Sequence, residues 1–592
     1  MLRHPSLPAV LALAATVCGI FFTGDATGLA LFGCILLSSG ALYALALQPK
    51  PESGPGLRMV LAYGAIMAAA IIAGMLPSEY PYLSLVVGSV YGALAVGCAI
   101  GFFMGSSAPV FFRWLCLPAG LWVVVAALSY YLADGPKSSF LSDSNSYATA
   151  LNLTFLLMLG LLAGNSRSTL LKAAAGIGLV FCLVGMFYVQ SKGAWIALLI
   201  TLALLGVVAR GSLGVTRRHW VMLALLAVLA ALSVSSRIQV EKAESRDGRS
   251  TSSRKAMLVS TLEIIKAHPL GVGTGQWFRA YSKVRVSDDV ESAGLHAHND
   301  YLEAVAESSV FGLAALAAPG LFALWMAVRL RRESDRLRAR RQAILIALVA
   351  VCALQAAVNF TFQQVAFNFI VGMACGTLLQ SWGLRARLPL PRSSRQAMTS
   401  SFVAFSAAVV VSALSYTTLH TQTLPEPLDS KALPFLKDER TLVLLSKLNP
   451  FDVRPRVTYA AMHHRIAANA ALPFDLRKQS YFKGMNMYLD LNRTTRDDFQ
   501  LLATAGGMAK SVGQEFDPSA RALAEALLRR AYQLAPAQVA VALPYAEVLF
   551  SLGRFDLADT VLRETADKVA ENDRIMLQAA LADLRKNRPA AK

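Results

Sequence analysis

Apolar blocks separated by short polar connectors occupy most of the first 420 residues of the chain. The blocks are about 20 residues long, which is the length of α-helix that crosses the hydrocarbon core of a bilayer. A mean hydropathy of +0.48 and a hydrophobic fraction of 55% also exclude an ordinary soluble protein. We therefore predict an all-α, polytopic membrane protein of about 13 transmembrane helices. They are placed at residues 7–22, 27–47, 57–76, 82–105, 109–132, 148–164, 168–189, 191–209, 218–235, 301–328, 342–360, 364–383 and 400–419.

The basic residues indicate how the chain crosses the membrane. The net charge of +19 is concentrated in short connectors between apolar blocks, as the positive-inside rule expects, so we predict no nucleic-acid partner. The N-terminus is expected in the cytoplasm, and the loop 236–300 and the chain after residue 420 are expected outside, in the periplasm. Arg3 and an apolar run without a small-residue cleavage site indicate a retained first helix in a bacterial inner membrane. The connectors expected in the cytoplasm are 167–172, 210–218, 329–341 and 385–395.

The cysteines all lie inside apolar blocks, and the polar loop and the polar C-terminal segment contain none. Cysteine at such positions is a small membrane-core residue. The sequence therefore predicts no disulfide framework, no zinc site and no cofactor. The seven cysteines are Cys18, Cys34, Cys98, Cys116, Cys182, Cys352 and Cys375.

The polar loop 236–300 belongs to a predicted transmembrane domain of residues 1–420 and has structure of its own. Residues 252–267 predict an amphipathic helix that is capped by Ser or Thr and ended by Pro269. The glycine-rich stretch 271–275 then has the pattern GxGxG. This pattern indicates either a hinge with positive φ angles or a phosphate-binding loop, and the absence of a preceding strand favours the hinge.

The C-terminal segment, residues 421–592, is polar with a helical pattern. Helices are predicted at 522–534, 537–552 and 555–570, and Pro544 should kink or shorten the second of them. The turns between these helices resemble those of tetratricopeptide repeats, which bind protein partners through a concave face. We therefore expect a soluble, periplasmic helical-repeat domain that binds a protein partner.

Residues 295–303 place two histidines, an asparagine and two carboxylates where the polar loop meets an apolar helix. Polar groups at such a boundary are costly without a use. His298 could act as a general base towards an acceptor hydroxyl, or could ligate a metal with His296 and Asp300. As a structural histidine it would instead hydrogen-bond Asn299 or a carboxylate. The residues alone leave these three alternatives open.

Glu303 and Glu307 follow one helical turn apart, just inside the predicted membrane boundary. They could orient a histidine or bind sugar hydroxyls, or they could simply favour the positive end of the helix.

Cations from separate segments are predicted at the same membrane face. Lys192 begins a span at the periplasmic end, and Arg254, Lys255 and Arg279 lie in the loop. A lipid pyrophosphate would lie at this depth, where lysine or arginine neutralises it through charge-assisted hydrogen bonds. The alternatives are a lysine that extends to the membrane interface at 192 and solvated loop charges at 255 and 279.

A resemblance to a known family follows from three motifs in the right order. His298 and Asn299, nine further residues and then Ser309-Val310-Phe311-Gly312 resemble the signature of the bacterial O-antigen ligase and polymerase superfamily. Ser309 stands where glycine is usual. Ser253-Arg254 and the stretch 268–273 are similar to the periplasmic loop of that superfamily. Residues 190–195, QSKGAW, resemble its Ser-Arg-Gly-Ala-Trp motif with lysine at position 192.

The resemblance implies a metal-independent, inverting glycosyltransferase whose donor is a glycan on undecaprenyl pyrophosphate. Arg254, Lys192 and Arg279 would hold the donor diphosphate, and His298 would activate the acceptor hydroxyl. The implied supporting residues are Asn299, His296, Glu303 and Gly312.

Several acceptors are compatible with the sequence. The first interpretation is O-antigen ligation to lipid A–core, and the alternatives are O-antigen or exopolysaccharide polymerisation and protein O-glycosylation. A polysaccharide transporter or a non-catalytic assembly subunit would be a different class of protein. A transporter usually places charges near the bilayer midplane in repeated halves, a pattern that this sequence lacks.

Overall fold

The structure is a computed structural model, and its described part is helical. The predicted spans 27–47 and 400–419, the connector 385–395 and the boundary near residue 420 lie largely or wholly outside the described residues. The structure describes residues 6–21, 36–38, 40–42, 55–104, 108–132, 144–163, 168–243, 249–285, 296–381, 438–448, 450, 452–495, 498–569 and 571–586.

The chain divides into two compact units, each made of three stretches of sequence, and the predicted domain boundaries stay predictions. Unit 1 contains residues 1–73, 86–247 and 298–410. Unit 2 contains residues 74–85, 248–297 and 411–592. The loop that the sequence assigned to the transmembrane domain therefore shares a unit with the C-terminal helices.

Within the described residues, six helices are long and apolar enough to cross a membrane, by length and composition. Each coincides with a predicted span and begins or ends within a few residues of it, apart from the helix Arg217–Ala243, which continues beyond the apolar run. These helices are α2 (Pro55–Met75), α3 (Pro81–Phe103), α5 (Ser144–Ala163), α6 (Thr169–Val189), α9 (Arg217–Ala243) and α12 (Asp300–Leu330).

Further helices coincide with predicted spans but are not among those six. Four of them are shorter apolar helices, and α13 begins with an arginine-rich turn. The structure thus supports a membrane protein with several apolar helices, and the count of about 13 stays a prediction. These helices are α1 (Leu7–Phe21), α4 (Ala108–Leu132), α7 (Lys192–Val208), α13 (Arg336–Ala356) and α14 (Val365–Ser381), with a short α8 (Arg210–Leu213) after α7.

Glycines allow α3 and α14 to pack closely in unit 1. Both helices carry the GxxxG spacing, at Gly97 and Gly101 and at Gly372 and Gly376. A Cβ atom at Gly372 would lie 2.2 Å from the carbonyl oxygen of Leu94. Small residues at this spacing let two helix backbones approach each other, which is the usual way in which membrane helices associate.

The polar loop forms two helices in unit 2, α10 (Arg249–Ala267) and α11 (Trp277–Val284). The predicted amphipathic helix is thus confirmed, although it begins three residues earlier than expected. Met257 and Ile264 are buried as expected. Leu258 and Leu262 are 41% and 42% exposed, so the predicted apolar face is only partly covered in the structure.

The glycine-rich turn between α10 and α11 needs glycine for two reasons. Gly271, Gly273 and Gly275 all have positive φ angles, at 93°, 106° and 74°. A Cβ atom at Gly273 would also lie within 2.9 Å of three atoms of Ser78. The hinge interpretation of this stretch is therefore supported, because a side chain there would be both strained and in collision.

The C-terminal part of unit 2 consists of successive helices around a shared apolar core. Pro544 lies inside one of them and does not end it. This helix, Val539–Ser551, has 13 residues and is shorter than predicted. The core includes Tyr481, Leu528 and Leu549. A tetratricopeptide repeat stays a prediction. The helices are α15 (Glu439–Leu448), α16 (Arg454–Ala468), α17 (Phe474–Thr494), α18 (Phe499–Met508), α19 (Gln514–Phe516), α20 (Ala520–Leu534), α21 (Val539–Ser551), α22 (Phe555–Ala566) and α23 (Glu571–Lys586).

Candidate active site

The turn at His298 begins α12. His298 has a left-handed backbone, with a φ angle of 51°. Asn299 is the N-cap, and its side chain accepts hydrogen bonds from the backbone N–H groups of Tyr301 and Leu302 at 3.1 Å each. A left-handed backbone costs a non-glycine residue about 1–3 kcal/mol, so the surrounding structure must hold this turn in place.

A short segment between α13 and α14 holds the His298 turn through three contacts. The ring of Phe360 lies 5.2 Å from that of His298, edge to face. The backbone N–H of Phe362 donates to the buried carboxylate of Asp300 at 2.7 Å. The side chain of Gln363 donates to Glu303 at 3.1 Å. The segment 360–363 therefore fixes both the histidine and the first turn of α12.

The first turns of α12 carry three buried carboxylates, on Asp300, Glu303 and Glu307. Gln363 bridges Glu303 to the hydroxyl of Tyr91, with a bond of 2.7 Å to that oxygen. Buried carboxylates are stable only with such hydrogen-bond donors around them. Their position directly after His298 makes this part of unit 1 strongly polar for a helix in an apolar block.

The turn between α6 and α7 places Lys192 at the start of a helix. Gln190 ends α6 with a left-handed backbone, and Ser191 caps α7. Asn145 ties this turn to two other helix ends, because its side chain accepts from Ser191 at 2.9 Å and its carbonyl accepts from Gln355 at 3.2 Å. Lys192 is half-buried in this setting.

Close backbone packing joins the Lys192 turn to the segment that holds His298. A Cβ atom at Gly193 would lie 2.9 Å from a methyl group of Val358. Val358 is only two residues before Phe360, which contacts the His298 ring. Unit 1 therefore brings together two motifs that are more than 100 residues apart in the sequence. A cation, a helix N-terminus and a histidine in one region can bind an anionic leaving group and accept a proton.

The helix that follows His298 is broken at the third motif. Ser308 and Ser309 have non-helical backbones, and Ser309 has a φ angle of 55° and a ψ angle of −152°. Only glycine adopts that region readily, so the backbone of Ser309 is strained. A Cβ atom at Gly312 would lie 2.6 Å from the carbonyl oxygen of Ala304. The small residues Ser309 and Gly312 therefore both permit the break in α12.

Replacing Ser309 with glycine is expected to stabilise the protein by about 1 kcal/mol, because glycine relieves the strained backbone. The measurement is thermal unfolding of the purified protein in detergent. Ser308→Gly is the matched control, since Ser308 has a negative φ angle of −133°. That control should lose about 0.5–1 kcal/mol, and equal losses in both variants would contradict a strained backbone at 309.

Backbone strain identifies the motifs independently of the sequence pattern. Within the described residues, three non-glycine residues have positive φ angles: Gln190, His298 and Ser309. Each of them lies in one of the motifs that carry the family resemblance. Strain of this kind is concentrated at functional sites, so the backbone and the sequence point to the same region.

The remaining predicted site residues lie in unit 2. Arg254 is half-buried on α10, Lys255 is exposed as expected of a solvated loop charge, and His296 is buried. Across the described ranges there is no group of three or more His, Cys, Asp or Glu side chains that could hold a metal ion.

The sequence allowed Arg279 to be a solvated loop charge, but the structure shows it buried. Its side chain is 8% exposed and pairs with the fully buried carboxylate of Asp498. The hydroxyl of Tyr80 donates to the same carboxylate at 2.5 Å, and the guanidinium lies over the Tyr80 ring at 4.4 Å. Burial raises the pKa of the Tyr80 hydroxyl, which keeps it protonated as a donor. The network joins all three segments of unit 2.

Sequence reasoning did not single out the segment 360–363. Its signal was weak, because it is only a short connector between two predicted spans. The run Asn359 to Gln364 nevertheless places four polar side chains between apolar blocks. Polar residues at a membrane boundary are costly and therefore a functional signal. In the structure, this run holds the His298 turn.

Comparison with known families supports the same region. The family model described as O-antigen ligase, Wzy_C, matches residues 177–317. That range is about a quarter of the chain and contains the turn at 190–195, the loop helices and the signature at 298–312. No curated protein matches the chain. The match supports a membrane protein of lipopolysaccharide biosynthesis with a glycan ligase or polymerase type of function.

Proposed function

We propose that the chain transfers a glycan from undecaprenyl pyrophosphate to an acceptor hydroxyl, with inversion and without a metal ion. The main observation in favour is that the Lys192 turn and the His298 turn are joined through the segment 355–363 in unit 1. Lys192 at the start of α7 suits the departing diphosphate, and His298 suits the acceptor. The region matched by the O-antigen ligase family contains both turns.

In the proposed reaction, the acceptor oxygen attacks the anomeric carbon of the donor sugar. The bond between that carbon and the phosphate oxygen breaks, and its electron pair leaves with undecaprenyl pyrophosphate. The acceptor proton passes to the imidazole of His298. The diphosphate is already a good leaving group, so it needs charge stabilisation more than a proton donor. Lys192 supplies it in this scheme, and donor binding by Arg254 of unit 2 stays a separate proposal.

The other predicted residues have supporting roles in this proposal. Asn299 caps α12 and sets the backbone of the His298 turn. Glu303 accepts a hydrogen bond from Gln363, which helps to hold this turn in place. Gly312 permits the break in α12. His296 stays a candidate next to the turn in sequence. Donor binding by Arg279 also stays a proposal, but its buried pair with Asp498 favours a structural role.

We propose O-antigen ligation to lipid A–core as the first candidate reaction. The matching family is described as O-antigen ligase, which supports a ligase over a transporter or an assembly subunit. Polymerisation of lipid-linked repeats is the alternative within the class. Protein O-glycosylation is the third candidate reaction. The helices within 438–586 would favour it if they bind a protein acceptor, as helical repeats do. The enzyme would lie in the inner membrane with its C-terminal helices in the periplasm.

A bacterial strain that lacks the protein separates these reactions. Its lipopolysaccharide, exopolysaccharide and glycoproteins are compared with those of the parent strain. Complete lipid A–core without polymer, together with long polymer on the lipid carrier, is the result expected of a ligase. Single repeats on the carrier would indicate a polymerase, and unglycosylated proteins with normal polysaccharide would indicate a protein transferase. No change in any of the three would overturn the proposal.

A further inference from the structure

An arginine outside the recognised motifs lies against the Lys192 turn. Arg237 is near the end of the apolar part of α9, and its Nη1 donates to the carbonyl of Gln190 at 3.2 Å. The neighbouring Ser236 accepts from the Gln190 side chain at 3.1 Å. Gln190 is only two residues before Lys192, so α9 brings a guanidinium to the turn that carries the lysine. Both cations are half-buried.

Two cations at a helix N-terminus favour an anionic ligand. Lys192 is the first residue of α7, where the helix dipole adds a partial positive charge. A guanidinium has five N–H donors and can bind a backbone carbonyl and a phosphate at the same time. Arg237 lies where the apolar part of α9 ends, and there it meets a second cation from another helix.

Lys192 lacks the planar set of N–H donors with which a guanidinium binds phosphate. An ammonium group is a point charge, whereas a guanidinium binds two oxygens of a phosphate in a planar fork. The turn at 190–195 has the lysine where the family motif has an arginine. Arg237 reaches the same turn from a different helix and restores the missing fork.

The position of this pair relative to His298 agrees with a donor site. The Lys192 turn packs on Val358 through Gly193, and Phe360 of the same segment contacts His298. A diphosphate held by the pair would therefore lie on the side of unit 1 where the acceptor proton is removed. In a displacement reaction the leaving group and the attacking oxygen must flank the same carbon.

We propose that Arg237 binds the diphosphate of the lipid-linked donor together with Lys192. This assignment rests on the proposed function, because it takes its ligand from that reaction. The ligand class is a polyprenyl diphosphate, and Arg237 contributes the bidentate contact to it.

The test measures binding of undecaprenyl pyrophosphate to the purified full chain in nanodiscs. Arg237→Gln should weaken binding about tenfold or more, because it removes a charge-assisted, bidentate contact. Arg218→Gln is the matched control, since it removes the same charge from the exposed opposite end of α9. Binding by that control should stay within about twofold of the parent protein, and equal binding by the two variants would overturn the assignment.

Undecaprenol, which lacks the diphosphate, separates ligand contact from a structural effect. If Arg237 contacts the diphosphate, Arg237→Gln should bind undecaprenol as the parent protein does. Equal weakening towards both lipids would mean that the arginine only supports the Gln190 turn, and would also overturn the assignment. If the parent protein itself does not prefer the pyrophosphate to undecaprenol, the proposed donor fails, and this result is distinct from a failure of Arg237 alone.

Discussion

Replacing His298 with alanine is expected to lower glycan transfer by about 100-fold or more, because a positioned general base contributes about 10²–10⁴-fold to such a reaction. We propose the imidazole as this base, and the structure holds its turn in place. Its turn is fixed by the Asn299 cap and by three contacts from the segment 360–363.

The measurement is transfer from a lipid-linked donor by membranes that contain equal amounts of each variant. Two further substitutions control for the backbone and for the loss of any histidine. Asparagine tolerates a left-handed backbone, so His298→Asn preserves the turn without providing a base and should be as inactive as alanine. His219→Ala alters an exposed histidine in the first turn of α9, outside these motifs, and should keep activity within about twofold. Normal transfer by the alanine variant would end the catalytic assignment.

The sequence predicted the parts of the fold that depend on local composition. Runs such as 57–76 and 168–189 became helices with nearly the same bounds, because a run of apolar residues long enough to span a bilayer has few alternatives to a helix. The positive φ angles of the glycine-rich turn at 271–275 were also predicted. Without a preceding strand, the GxGxG pattern favours a hinge over a phosphate-binding loop.

Features that depend on distant partners could not be predicted. The break at Ser308 and Ser309 has no local signal, because neither residue stops a helix, and only the family signature suggested that position 309 is special. Asp498 is far from Arg279 in the sequence, so nothing near the arginine indicated that it would be buried. Arg237 resembles an ordinary interface residue until Gln190 is placed beside it.

Replacing Asp498 with alanine is expected to destabilise unit 2 by about 3–5 kcal/mol, because it removes the buried carboxylate that pairs with Arg279 and also caps α18. The carboxylate is fully buried and also accepts from Tyr80, so solvent cannot replace it. Asp438→Ala is a matched control, since Asp438 is an exposed residue that caps another helix in the same unit, and its loss should cost far less stability than the loss of Asp498. Thermal unfolding and limited proteolysis of the full chain measure both variants.

A double substitution separates the structural role of Arg279 from a role in donor binding. Apolar residues of similar size often replace a buried ion pair without loss, so Arg279→Met with Asp498→Leu should recover most of the stability that Asp498→Ala loses. If the pair is structural, the double variant should also keep glycan transfer near the parent level. Recovered stability with transfer still about 100-fold lower would instead assign Arg279 to the donor diphosphate. If the double variant is no more stable than Asp498→Ala, the ion pair is not what holds the three segments of unit 2 together, and the N-cap that Asp498 gives to α18 accounts for the loss.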